Sequence, residues 1–121
     1  RAQAEGIGRW FVARGLQPAR VRSSPWCRCL DTAHLAFGRA EPWAALGSPR
    51  GADEVTHQAS LAALRRAVAE AAAQPGRFEV WVTHMFVLAD LTGASSASGE
   101  GLLLGASPGG GVRVLARLAP A

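Results

Sequence analysis

Val21-Arg22-Ser23-Ser24-Pro25-Trp26-Cys27-Arg28-Cys29-Leu30-Asp31-Thr32-Ala33 is a short strand handing over to a helix. Arg20-Val21-Arg22-Ser23 is extended in character, and Ser24-Pro25 closes it because a residue before proline avoids the α region. Ser24 then suits an N-cap and Pro25 the first helical position, which predicts a helix running to about Phe37. Its stripe is Leu30, Ala33, His34 and Phe37 at i, i+3, i+4, i+7, and Gly38 ends it.

Towards the N-terminus, residues 2–14 repeat Ala4, Ile7, Phe11 and Val12 at helical spacing, with Gly15 as a C′ residue. Towards the C-terminus, residues 39–52 are rich in Pro, Gly and Ala and carry two apolar anchors, Trp43 and Leu46, so they read as a loop or lid. Residues 53–73 predict the longest helix. Leu61, Leu64, Val68 and Ala71 share a face, Asp53-Glu54 sit at the favourable end, and Gln74-Pro75-Gly76 stop it. Phe78-Glu79-Val80-Trp81-Val82-Thr83 reads as a buried strand running straight into His84, and residues 85–91 return to helical spacing. Residues 101–105 and 112–118 flank Ser107-Pro108-Gly109-Gly110-Gly111 and read as an antiparallel hairpin.

Strands alternating with helices, then a hairpin, define an α/β class: a three-layer α/β/α arrangement with a mostly parallel sheet and an antiparallel edge hairpin. At 121 residues the chain holds one domain, since domains run to roughly 100–200 residues. Hydrophobic residues at 49% and charged ones at 18% suit a globular core and speak against a disordered chain. No apolar run approaches the roughly 18 residues of a membrane span, and residues 80–91, the nearest, contain His84 and Asp90.

All 13 basic residues are arginine, giving a formal charge of +4. They are scattered, with Arg65-Arg66 the only adjacent pair, so no basic face for nucleic acid stands out. Cys27 and Cys29 are too close to close a useful loop by a disulfide and lack a second ligand pair for zinc, so at least one reads as core filling. The sequence opens without an initiator methionine or a signal-like region, which leaves targeting open.

Two places combine polar chemistry with a strand-to-helix junction, where open α/β sheets bind ligands. Arg28 falls in the first turn of its helix, beside free N–H groups and the positive end of the helix dipole, which outlines an anion site. His84 directly follows a buried strand, a position where neighbours can tune an imidazole to hold phosphate or move a proton. His34, on an apolar stripe, and His57, near the start of the long helix, read as structural.

In order along the chain, Gly6-Ile7-Gly8, the block from Val21 to Ala33, Val80-Trp81-Val82-Thr83-His84, Leu91-Thr92-Gly93 and Gly99-Glu100-Gly101 resemble the histidine phosphatase (phosphoglycerate mutase-like) superfamily. The likeness covers nearly the whole chain, and Ser-Ser-Pro-x-x-Arg-x-x-(Glu/Asp)-Thr-Ala is its specific part. The resemblance implies that Arg28 corresponds to the second phosphate-binding arginine and His84 to the second active-site histidine, with Ser24 beside the phosphate. Asp31 stands where the family more often has Glu. The family's nucleophile belongs to an Arg-His-Gly-type motif ending a first strand, and no Arg-His pair occurs here. The chain therefore looks like such a domain without its N-terminal strand and nucleophile loop.

In the complete family a histidine attacks phosphorus to form a phosphohistidine that water hydrolyses, while arginines and the second histidine neutralise the equatorial oxygens. The resemblance implies no metal and no cofactor. Glu41, Asp53 and Glu54, in or bordering the loop that could cap the site, are the candidates for the acid that protonates the leaving oxygen. The partner expected is a phosphorylated small molecule or a phosphoprotein, with no nucleic acid and no membrane span, and oligomeric state is left open. Two readings follow: a phosphohydrolase whose nucleophilic segment lies outside this sequence, or a non-catalytic module that binds phosphate or phosphoprotein.

Overall fold

The structure, a computed structural model, describes residues 2–47 and 53–119. The end of the loop expected to shape selectivity, residues 48–52, and Arg1 at the helix start lie outside the described residues.

In chain order the elements are α1 (Ala2–Ala13), β1 (Arg20–Ser23), α2 (Cys27–Phe37), β2 (Glu41–Pro42), a 3-10 turn (Ala44–Leu46), α3 (Glu54–Ala72), β3 (Glu79–Val82), α4 (Met85–Thr92), β4 (Gly101–Ala106) and β5 (Val112–Leu118). β2, β1 and β3 form a parallel sheet in that order, with Arg20↔Glu79 through Ser23↔Val82 in register. β4 and β5 pair antiparallel, as the hairpin reading expects, and form a two-stranded sheet of their own. β3 thus pairs on one side with β1, and among the described residues its other edge carries no strand.

The side chains of β1 alternate. Val21 and Ser23 are fully buried on one face, whereas Arg22 on the other lies over the Trp43 ring at 4.3 Å and pairs with Glu79 at 3.2 Å. α1 and α2 pack against each other, with Phe11 edge-on to Phe37 at 5.3 Å and stacked on Phe78 at 6.1 Å. The main core gathers Leu46, Leu61, Leu64, Val87 and Leu91, against which Trp43, Trp81, Leu104 and Val112 pack. That core joins α3 and α4 to both sheets, and it confirms Trp43 and Leu46 as the anchors of the 39–52 segment.

Four local expectations are corrected. α2 begins at Cys27 rather than Pro25, and its N-cap is Trp26 with no side-chain cap bond. Ser24 instead accepts the Trp26 N–H on its hydroxyl at 3.2 Å, an ST-type turn that competes with helix initiation. His34 is exposed rather than on the packed stripe, because α2 buries Cys29 and Ala33, a row that leaves the next residue round the helix facing water. Glu41-Pro42 is a strand inside the expected loop. α3 begins at Glu54, one residue later than expected, and Asp53 is its N-cap, the carboxylate accepting the Thr56 N–H at 2.7 Å; Gly38 and Gly93 close α2 and α4 in the left-handed conformation at φ 75° and 78°.

Candidate active site at the ends of β1 and β3

Parallel pairing brings two distant junctions together. Because Ser23 lies opposite Val82, the residues that follow each strand are neighbours, and the Ser24 N–H donates to the Val82 carbonyl at 2.9 Å. One residue further, the Ser24 hydroxyl and His84 Nε2 are 2.9 Å apart. Thr83 fixes the other side of this junction, its hydroxyl donating to the Leu46 carbonyl at 2.6 Å.

His84 is half-buried and serves as N-cap of α4 without a side-chain cap bond, so its ring is left for other partners. Burial, and after it the positive charge of Arg28, hold its pKa below the ordinary histidine value. The ring is therefore neutral at physiological pH. The Ser24 hydroxyl, already accepting from the Trp26 N–H, satisfies the pair when it donates to Nε2, which leaves the ring proton on Nδ1.

Three residues of the α2 start surround this pair. Cys29 Sγ lies 3.8 Å from His84 Nε2, and burial pushes that thiol upward in pKa, so it is a neutral filler rather than a thiolate. Trp26 stands edge-on to the His84 ring, centroids 4.9 Å apart. Arg28 is exposed, and its charge is felt at both His84 and Cys29. The arrangement offers an anion a guanidinium, the N-terminal turn of α2 and an imidazole, at the carboxyl ends of parallel strands.

The structure thus brings Ser24 and His84 into contact, with the exposed Arg28 near enough for its charge to bear on the ring, but it engages the three acid candidates elsewhere. Glu41 binds Arg20 at 2.8 Å, and that hydrogen bond holds its carboxyl below the usual range. Asp53 is held low in the same way by the Thr56 backbone N–H. Glu54 accepts from Gln58 Nε2 at 2.7 Å. His57, expected to be structural, pairs with Asp90 at 2.9 Å and so ties α3 to α4. Trp26 and Cys29 were not singled out as site residues from sequence. The signal was available only through the β1–β3 register, since each lies more than fifty positions from His84. Among the described residues no group of three His, Cys, Asp or Glu is placed to hold a metal ion.

In fold, the chain is similar to a solved histidine phosphatase. The solved structure of the protein histidine phosphatase SixA, complexed with tungstate, matches over 97% of this chain and 78% of its own, with a TM-score of 0.57 and 19% identity. No protein-family model matches the sequence, and no curated protein sequence does.

Proposed function

We propose that this chain is the phosphate-gripping part of a histidine-phosphatase-type phosphohydrolase, which removes phosphate from a phosphomonoester or phosphoprotein through a phosphohistidine intermediate. The observation that carries the reading is the convergence of Ser24, Arg28 and His84 at the adjoining ends of β1 and β3. Residues 1–121 act as one domain in this reading, because one core connects both sheets.

The chemistry assigns each group a part. Arg28 donates its planar fork to two phosphate oxygens, and the N–H groups of the first turn of α2 add to it. His84, neutral when the site is empty, donates through a ring N–H to an equatorial oxygen, and Ser24 acts through His84 by holding the ring. The attacking histidine forms an N–P bond as the ester P–O bond breaks, and the leaving oxygen takes a proton from an acid. Water then attacks the phosphohistidine, releasing inorganic phosphate and restoring the histidine. An acid must hold its proton until the bond breaks, and Glu41 and Asp53, both pushed towards the ionised form where the structure holds them, are poorly suited to that part there.

No Arg-His pair occurs among the 121 residues, so the nucleophile in this reading lies on residues outside them. A strand carrying it has a place to pair at the edge of β3 that is open among the described residues. The same missing pair favours the second reading, a binding module without catalysis.

On its own the chain should turn over an aryl phosphate negligibly, and a clear rate abolished by His84→Ala would overturn that expectation. In a protein that also carries an Arg-His segment, Arg28→Ala and His84→Ala should each lower kcat/KM by about a hundredfold or more, as loss of a charge-stabilising donor does. His57→Ala, on the α3–α4 contact, should leave the chemical step nearly unchanged. Near wild-type kinetics for both site variants would remove the phosphatase reading. A chain that binds inorganic phosphate but never forms a phosphohistidine, even with that segment, is the binding module.

A further inference from the structure

We propose that the site selects phosphate carried on an aromatic ring, an aryl phosphate monoester, and that Trp26 is the residue that selects it. The proposal rests on the phosphate-site reading above and adds to it the class of group on the other side of the ester oxygen.

Trp26 is a large apolar side chain held where water reaches it. Its backbone N–H is fixed on the Ser24 hydroxyl, the same oxygen that meets His84 Nε2. Its indole presses edge-on against the His84 ring at an interplanar angle of 69°, yet the residue remains 46% exposed. The His84 contact therefore fixes the direction of the indole without covering it. Met85, the residue after His84 and the first of α4, is 48% exposed. A polar anion site bordered by an exposed aromatic side chain is matched by a ligand with the same division, a dianion joined to an apolar ring.

Position makes the pairing specific. Arg28 and His84 are the groups that can grip phosphoryl oxygens, so in the phosphate-site reading the phosphoryl group lies against them. The ester oxygen is the one atom between phosphorus and an aryl ring. A ring carried there is within reach of the indole that packs on His84, where it can stack on its exposed face or meet its edge. A phosphate on a hydroxylated chain such as glycerol finds in Trp26 at most the single indole N–H donor and leaves the apolar face of the ring exposed to water. An aromatic pair of this kind, with the apolar area it covers, predicts a preference of about tenfold.

The test measures dissociation constants of the 121-residue chain by calorimetry or NMR titration for inorganic phosphate, phenyl phosphate, glycerol phosphate and a phosphotyrosine peptide. Phenyl phosphate should bind about tenfold tighter than glycerol phosphate. Trp26→Ala should bring that ratio close to one, Trp26→Phe should restore most of it, and Leu103→Ala, an exposed apolar residue on the hairpin, should keep it. A peptide that binds tighter than phenyl phosphate identifies a protein as the source of the ring, and equal binding identifies a small aryl ester. Both outcomes support the aryl class. Equal affinities for phenyl and glycerol phosphate overturn it, and so does a preference that survives in Trp26→Ala. If inorganic phosphate itself does not bind, the phosphate site fails and the inference falls with it.

Discussion

His84 is the residue on which the electrostatics of the site turn. Burial is the larger cause of its lowered pKa and the Arg28 charge the smaller, so replacing Arg28 should raise the value only part of the way back. An NMR titration should find the ring titrating below the ordinary histidine value of about 6.5 in the parent chain, and higher but still depressed in Arg28→Gln. An unchanged value in Arg28→Gln would show that the guanidinium does not act on the ring. The consequence for stability has a definite sign. The folded pKa lies below the unfolded one, so the unfolded chain binds the proton more readily in the window between them. Stability contributed by His84 is intact above the unfolded value, falls as pH drops through the window, and is wholly lost below the folded value. A bound phosphate dianion opposes this, since its charge favours the protonated ring, and should move the titration upward.

At the scale of elements, the packing of α1 on α2 depends on a missing side chain. A Cβ on Gly8 would run into the backbone carbonyl oxygen of Ala36, which cannot turn aside as the end of a flexible side chain would. Gly8→Ala should therefore destabilise the fold by about 1–3 kcal/mol, the cost of overpacking, despite the better helix propensity of alanine. Chemical denaturation checks it, and a variant as stable as the parent would show that the helices can separate freely. His34→Ala, four residues after Leu30 on α2, should stay within about 0.5 kcal/mol because the side chain is exposed. That reverses what the spacing of α2 suggests, and the reason is geometric. Leu30, Ala33, His34 and Phe37 fit a helical period, but periodicity alone does not say where the centre of the buried face falls, and Cys29 and Ala33 set it to one side of His34. Boundaries carried by strong signals were legible: β1 ends at its serine-proline, and α3 starts within one residue of the acidic pair Asp53-Glu54. β2 was not, because two residues, one of them proline, have no period to show, and their strand character comes from pairing with Arg22 and Ser23. The contact between the Ser24 hydroxyl and His84 belongs to the same class, since it exists only once β1 and β3 lie side by side.

Across the whole molecule, two sheets that share no hydrogen-bonded strand pair behave as one body only if the side chains between them are continuous. Leu46, Leu61, Leu64, Val87 and Leu91 supply that continuity, with Trp81 of the parallel sheet and Leu104 and Val112 of the hairpin packed on the same cluster. Leu64 is fully buried on α3, the helix that meets both the 3-10 turn and β4. Leu64→Ala should cost about 2–5 kcal/mol, the range for emptying a buried leucine position. The loss should be shared. The near-ultraviolet signal of Trp43 and Trp81, edge-on at 5.2 Å, and the hydrogen-exchange protection of the β4–β5 amides should fall together. Hairpin amides that stay protected while the tryptophan signal melts would mean the hairpin is an independent unit, and the site at the ends of β1 and β3 would then depend on the parallel sheet alone. If both fall together, a strand pairing at the open edge of β3 adds to an existing single core, and its effect should appear as one higher melting transition rather than two.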